Sequence, residues 1–208
     1  MVIKRGMAKR GEQLREHILF AAKDVFLEVG FERASMDTVS ARAQTSKRTL
    51  YAHFENKEKL YLAVVEFSRG LFLGRVKKPG DYTGSTEEVL VQFGGRFLEI
   101  LLYGPVVRMC RMAMAEADRF PEGSAQLFDA LFFEVQERLS AYLQEALGLS
   151  AKESQSRAQE LLGRILYPRF TRALFGVDEL NGQLGDDTHS DFDLEAVRKI
   201  VVQFLKTL

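Results

Sequence analysis

Residues 35–60 constrain this chain more than any other stretch. Ser35 is an N-cap residue type, and Asp37 two positions on suits the positive end of a helix dipole. Val39 and Ala43 are spaced i, i+4 and predict one inward face. That helix must stop near Ala43, because Ser46 is a second N-cap with Thr49 three residues on. The next helix buries Leu50 and Phe54. It leaves Lys47, Arg48, Thr49, Tyr51, Ala52 and His53 on or near an open face. Two very short helices, a tight turn and a basic, hydroxyl-rich second helix form the layout of a helix-turn-helix, whose second helix enters the DNA major groove. Cationic side chains there reach base acceptors or phosphates, and hydroxyls reach phosphates. The stretch predicts a DNA reader rather than a catalyst. Asn56 is placed to cap a further helix, which puts Lys57 in a first turn that is already positive. A phosphate docked at that helix start explains the choice; the plain alternative is a solvated lysine.

Residues 12–64 resemble the DNA-binding domain of the TetR family of bacterial transcriptional repressors. The likeness rests on a long first helix, Gly30-Phe31, the Ser35 cap and Ala43. The run Ser46-Lys47-Arg48-Thr49-Leu50-Tyr51-Ala52-His53-Phe54 and Asn56-Lys57-Glu58-Lys59-Leu60 complete it. The resemblance implies that Lys47, Arg48, Thr49 and Ala52 face bases, and that Ser35, Tyr51, His53 and Lys57 hold phosphates, with Ser46 opening the reading helix. The chain departs from the family at position 44, where Gln44 replaces the usual Gly, and at Thr45, usually apolar. A left-handed residue there costs a side chain roughly 1 kcal/mol, so either Gln44 accepts strain or the turn is built differently.

Net charge is zero, which suits a DNA binder only once it is divided. Residues 1–60 hold 12 Lys+Arg against 8 Asp+Glu, a net +4, and the rest hold 17 against 21, a net −4. The basic excess lies with the motif. The 46% hydrophobic and 28% charged content is that of a globular chain. The single cysteine, Cys110, excludes an internal disulfide and fits a reducing, cytoplasmic setting. No apolar run is long enough to span a membrane. The basic segment from Lys4 to Arg10 is followed by Gly11-Glu12-Gln13, so it is no signal peptide. Two readings of this 1–11 arm stand side by side: a disordered tail, or an arm in the adjacent minor groove.

The rest reads as helix. Leu14, Ile18, Ala21, Ala22, Val25, Phe26 and Val29 repeat at helical spacing until Gly30. Further helical patterns run at roughly 86–103, 105–117, 124–147, 151–175 and 193–207, with no strand alternation. The expected fold class is all-α. A three-helix DNA-binding domain occupies 1–60, and a helical regulatory and dimerisation domain occupies 61–208. Residues 108–122, with Ala115-Glu116-Ala117 and Arg119-Phe120-Pro121, are similar to the start of the regulatory domain in an AefR-like subgroup of the same family. The plain reading of Arg119-Phe120-Pro121 is a helix stop with a buried Phe. Large apolar side chains in this half suggest an effector pocket lined by Phe93, Phe97, Arg108, Met112, Phe128, Phe132, Tyr167 and Phe170; each can equally be core. Arg108 or Arg111, if inward, requires an anionic ligand or an acid such as Glu116.

No enzyme signature competes. His17, His53 and His189 are scattered, and no phosphate-binding Gly loop or nucleophile elbow is present. Residues 186–193 (Asp-Asp-Thr-His-Ser-Asp-Phe-Asp) offer oxygen ligands for a hard cation, but match no known binding loop and read first as a solvated loop. No cofactor is expected. Family resemblance implies a homodimer pairing through the last two long helices. Leu161, Leu162, Ile165, Leu166 and Phe170 on one helix suit a bundle face, as do Val197, Ile200, Val201, Phe204 and Leu205 on the other. Such a dimer reads a palindromic DNA operator and is released by a small, lipophilic effector. The alternative is a regulator of the same type without a small-molecule effector, controlled by a partner or acting as an activator.

Overall fold

The computed structural model describes residues 2–185 and 192–208. These are helical, and among them the only β-type pairing is an isolated bridge between Tyr103 and Asn181. The chain divides into two compact units, Met1–Gly70 with Met112–Leu127, and Leu71–Arg111 with Phe128–Leu208. The division differs from the 60/61 boundary expected from sequence. The first unit keeps residues 61–70, and it takes in Met112–Leu127 from far along the chain.

The first unit holds α1 (Val2–Arg33), α2 (Met36–Arg42), α3 (Lys47–His53) and most of α4 (Lys57–Leu73). It also holds the end of α6 (Gly104–Ala115) and α7 (Pro121–Phe128) as far as Leu127. Helix α1 begins at Val2, so the expected arm is backbone continuous with this helix. Regular geometry breaks at Gly30, with φ 78 and ψ 168, as its composition anticipated. The predicted apolar stripe is the core: Ile18, Ala22, Val25 and Phe26 are all buried. Phe26, Phe31 and Tyr61 interlock edge-on or stacked, with ring centroids 5.1–6.0 Å apart.

The second unit is built on α5 (Thr86–Leu102), α8 (Glu134–Leu147), α9 (Ala151–Leu166), α10 (Arg169–Leu174) and α11 (Glu195–Leu205). Ser85 and Glu88 form a reciprocal capping box that starts α5. Gly94 and Gly95 let α5 be approached closely. A Cβ at Gly94 would lie 2.6 Å from Ile165 Cδ1, and one at Gly95 would lie 2.1 Å from Leu194 Cδ2. The buried Ser140 hydroxyl of α8 donates to Ser154 Oγ of α9 at 3.0 Å, and the Ser154 hydroxyl donates to the Ala151 carbonyl at 2.9 Å.

Three expectations are corrected here. The pattern read as one helix over 124–147 is two, joined by a π-helical turn at Asp129–Phe133. The pattern over 151–175 breaks between Leu166 and Arg169, where Pro168 has no N–H to continue the ladder. Most of the side chains assigned to a dimer face are covered within one chain, while Leu166, Ile200 and Leu205 stay half-buried. Leu161, Leu162, Ile165, Phe170, Val197, Val201 and Phe204 are all buried, Phe204 completely. Residues 186–191 of the candidate cation loop at 186–193 lie outside the described residues.

Candidate nucleic-acid interface

Local sequence builds the interface. Ser35 Oγ accepts the Thr38 amide at 3.0 Å and starts α2. Helix α2 ends in a Schellman arrangement, with the Gln44 amide on the Ala41 carbonyl and the Thr45 amide on the Ser40 carbonyl. Gln44 takes the left-handed place with φ 48. Gln44 thus takes the left-handed conformation that suits a glycine and accepts the strain. His17 of α1 meets the Ala43 carbonyl at 3.1 Å, a tie that its isolated position in the sequence did not reveal. Ser46 Oγ accepts the Thr49 amide at 3.0 Å, and α3 begins. Leu50 and Phe54 anchor its inner side.

On the outer side of α3, Lys47, Arg48, Tyr51 and Ala52 are exposed, and Thr49 and His53 are half-buried. The side chains differ in readiness. Thr49 Oγ1 is 2.8 Å from Ser46 Oγ. The Lys47 ammonium sits 2.6 Å from the Asp37 carboxylate of α2, with both side chains well exposed. The Arg48 guanidinium has no ion pair or hydrogen bond among the described residues. A free, always-charged fork at the N-terminal end of the second helix suits the acceptor edge of guanine.

Lys57 is placed differently from expectation. Its Nζ donates to the carbonyls of Phe31 and Glu32 at 3.0 and 3.2 Å and lies 4.3 Å from the Phe31 ring centroid. The carbonyls at the end of α1 give a second reason for a lysine at this helix start. Asn56 caps α4 through the Lys59 amide at 2.8 Å, as read from sequence. Arg42 forks onto Glu28 with two bonds of 2.8 Å and ties α2 to α1. That contact holds the Glu28 carboxyl below its ordinary range.

Residues 18–64 match the bacterial regulatory proteins of the tetR family, and residues 88–188 match the AefR-like transcriptional repressor C-terminal domain. The chain belongs to the TetR family of transcriptional regulators. It is 41% identical over 63 residues to the transcriptional activator FasR of Mycolicibacterium smegmatis, a match spanning 30% of this chain and 29% of FasR. The transcriptional regulator YdeS of Bacillus subtilis is 28% identical over 185 residues, 87% of this chain and 88% of YdeS. A TetR-family regulator from Mesorhizobium loti shares the fold, with TM-score 0.79 and 23% identity over 95% of this chain and 98% of that one. Members of this family are DNA-binding regulators rather than enzymes. No helix among the described residues is long and apolar enough to cross a membrane.

The residues expected to line an effector pocket do not form one set in this TetR-family regulator. Phe93, Phe97 and Phe170 are packed core. Met112 is buried in the first unit. Arg108, Phe128 and Tyr167 are exposed, the last two by 59% and 72%. Periodicity marks apolar positions but cannot separate a cavity wall from a packed face. What the structure does assemble is a file of rings, Phe128–Phe132 at 5.1 Å and Phe132–Phe170 at 5.9 Å, running from surface to core past the π-helical turn. Arg111 needs no ligand, since its guanidinium donates to the Ala173 and Leu174 carbonyls at the end of α10. The surfaces of α9 and α11 that remain open form a groove of Gln159, Glu160, Gly163, Arg164, Tyr167, Ile200 and Gln203.

Proposed function

We propose that this regulator is a homodimeric repressor that reads a palindromic operator in the cytoplasm and is released by a small lipophilic effector. One observation carries the reading. The Ser46-capped end of α3 presents Arg48, without a partner among the described residues, beside Lys47 and Thr49 on an open face. In this reading Arg48, with Lys47, Thr49 and Ala52, meets base edges, while Ser35, Tyr51 and His53 meet phosphates. Lys47 leaves Asp37 on binding, a small loss, because an exposed ion pair contributes roughly 0–1 kcal/mol. Two copies pair through the open α9–α11 groove rather than through the buried faces. That pairing sets two recognition helices about 34–36 Å apart, one turn of DNA. The effector enters along Phe128, Phe132 and Phe170, where a π-helical turn interrupts regular packing.

Selection of duplexes from a random pool tests the first part. The full-length protein should enrich a palindrome, and its affinity should fall steeply with salt. Arg48→Ala should weaken that operator by about 1–3 kcal/mol and random duplex much less. An equal loss on both would make Arg48 a phosphate contact. Thermal shift against lipophilic compounds tests the effector, and Phe132→Ala should abolish any shift found. The likeness of the DNA-binding half to FasR, named an activator, supports a second reading in which the bound protein activates. Transcription in vitro from a promoter carrying the selected operator decides the sign.

A further inference from the structure

Phe54 closes α3. Its amide bonds to the Leu50 carbonyl at 2.9 Å, its backbone is extended, and its ring is buried. The guanidinium of Arg15, from α1, lies over that ring, 5.2 Å from the centroid. Arg15 is exposed and makes no ion pair or hydrogen bond among the described residues, although Glu12 stands one turn back on the same helix. Most other described cations of this unit are engaged. Arg42 pairs with Glu28, Lys47 with Asp37, and Arg119 with Glu32 and Glu58. Arg33 donates to the Val29 carbonyl, and Lys57 to the carbonyls of Phe31 and Glu32. Arg48 and Arg15 thus stand at opposite ends of α3, each without a carboxylate.

We propose that Arg15 is a further DNA-contacting residue, whose guanidinium, held over the Phe54 ring, clamps a backbone phosphate at the rim of the groove that α3 enters. The inference rests on the reading of α3 above. Helix α3 has seven residues and is therefore roughly 10 Å long, against a major groove about 8.5 Å deep. With its N-terminal end at base edges, its other end is carried out toward the rim, where phosphates are the acceptors on offer. His53, assigned above to a phosphate, has its ring 6.3 Å from that of Phe54, at the same end. A ring contact alone would suit a purely structural arginine. It occupies only the face of the guanidinium, however, and leaves the N–H donors at the edge in water. Stacking also fixes the side chain before DNA arrives, so less freedom is lost on contact.

The test measures binding of the full chain to the selected operator and to a random duplex over a range of salt concentrations. Arg15→Gln can still cover the ring but carries no charge. It should weaken both duplexes by the same factor and flatten the slope of log affinity against log salt by about one unit. Arg15→Lys, which keeps the charge but not the fork, should retain the slope and lose less affinity. The melting temperature of Arg15→Gln should move by no more than roughly 4 °C, because an exposed contact of this kind is weak. A wild-type salt slope in Arg15→Gln overturns the inference, whatever the affinity, since the guanidinium then only packs on the ring. A loss confined to the operator makes Arg15 a base contact and overturns it too. Arg48→Ala in the same assay separates the two readings. An equal loss on both duplexes there removes the orientation of α3 and, with it, the place of Arg15 at the rim. A loss selective for the operator there, with an unchanged slope in Arg15→Gln, removes the Arg15 contact alone.

Discussion

At Gln44 the backbone sits at φ 48, a conformation that glycine adopts freely and a side chain resists. The Schellman bonds around it hold the strain in place. Gln44→Gly relieves that strain but adds freedom to the unfolded chain, so the expected net gain is about 0.5 kcal/mol. The melting temperature should rise by roughly 1–2 °C, and operator affinity should stay within a few-fold. A lower melting temperature would mean the turn relaxes in solution. At Glu28 the relevant variable is pH. The Arg42 fork lowers the Glu28 carboxyl below its ordinary value. The contribution is therefore fully present above about pH 4.3, the unperturbed value, and is lost as pH falls through the lower folded value. Glu28→Gln should melt below wild type at neutral pH, and the two curves should converge in acid. A gap independent of pH would assign the effect to packing.

At the scale of helices, caps were legible, while two interruptions and the pairings were not. Ser35, Ser46 and Asn56 act where their sequence places them, because an N-cap needs only a short side chain and an amide three residues on. The π-helical turn at 129–133 had no comparable local signal. The α8–α9 contact includes a buried polar pair, Ser140 and Ser154, that helical periodicity does not mark. Ser154→Ala leaves the buried Ser140 hydroxyl without this partner and should cost about 1–3 kcal/mol, while the double alanine variant should recover most of it. Additive losses in denaturant melts would show that the pair is not coupled.

At the scale of the whole molecule, burial decides which variants test the dimer. Phe204 is fully buried in the single chain, so Phe204→Asp should lose folded protein rather than yield monomers. The informative variant lies in the open groove. Gly163, with open space above its Cα, and Ile200 flank each other's helices there. Gly163→Arg with Ile200→Asp should give folded monomers by light scattering, with operator affinity falling to that of one half-site. A variant that remains dimeric places the interface elsewhere.

Sequence alone determined the helical class, the two caps of the helix-turn-helix, the buried stripe of α1 and the open face carrying Arg48. Each depends on a periodicity or on an interaction spanning a few residues. Only the tertiary structure decided that Lys57 closes the end of α1, that most of the apolar face of α9 and α11 is core, and that Arg119 and Phe120 belong with the DNA-binding unit. These outcomes depend on which element covers which face, and on contacts between residues as distant as Glu32 and Arg119. A side chain's local pattern states that it will be buried or paired; the partner is fixed by the packing of the folded chain.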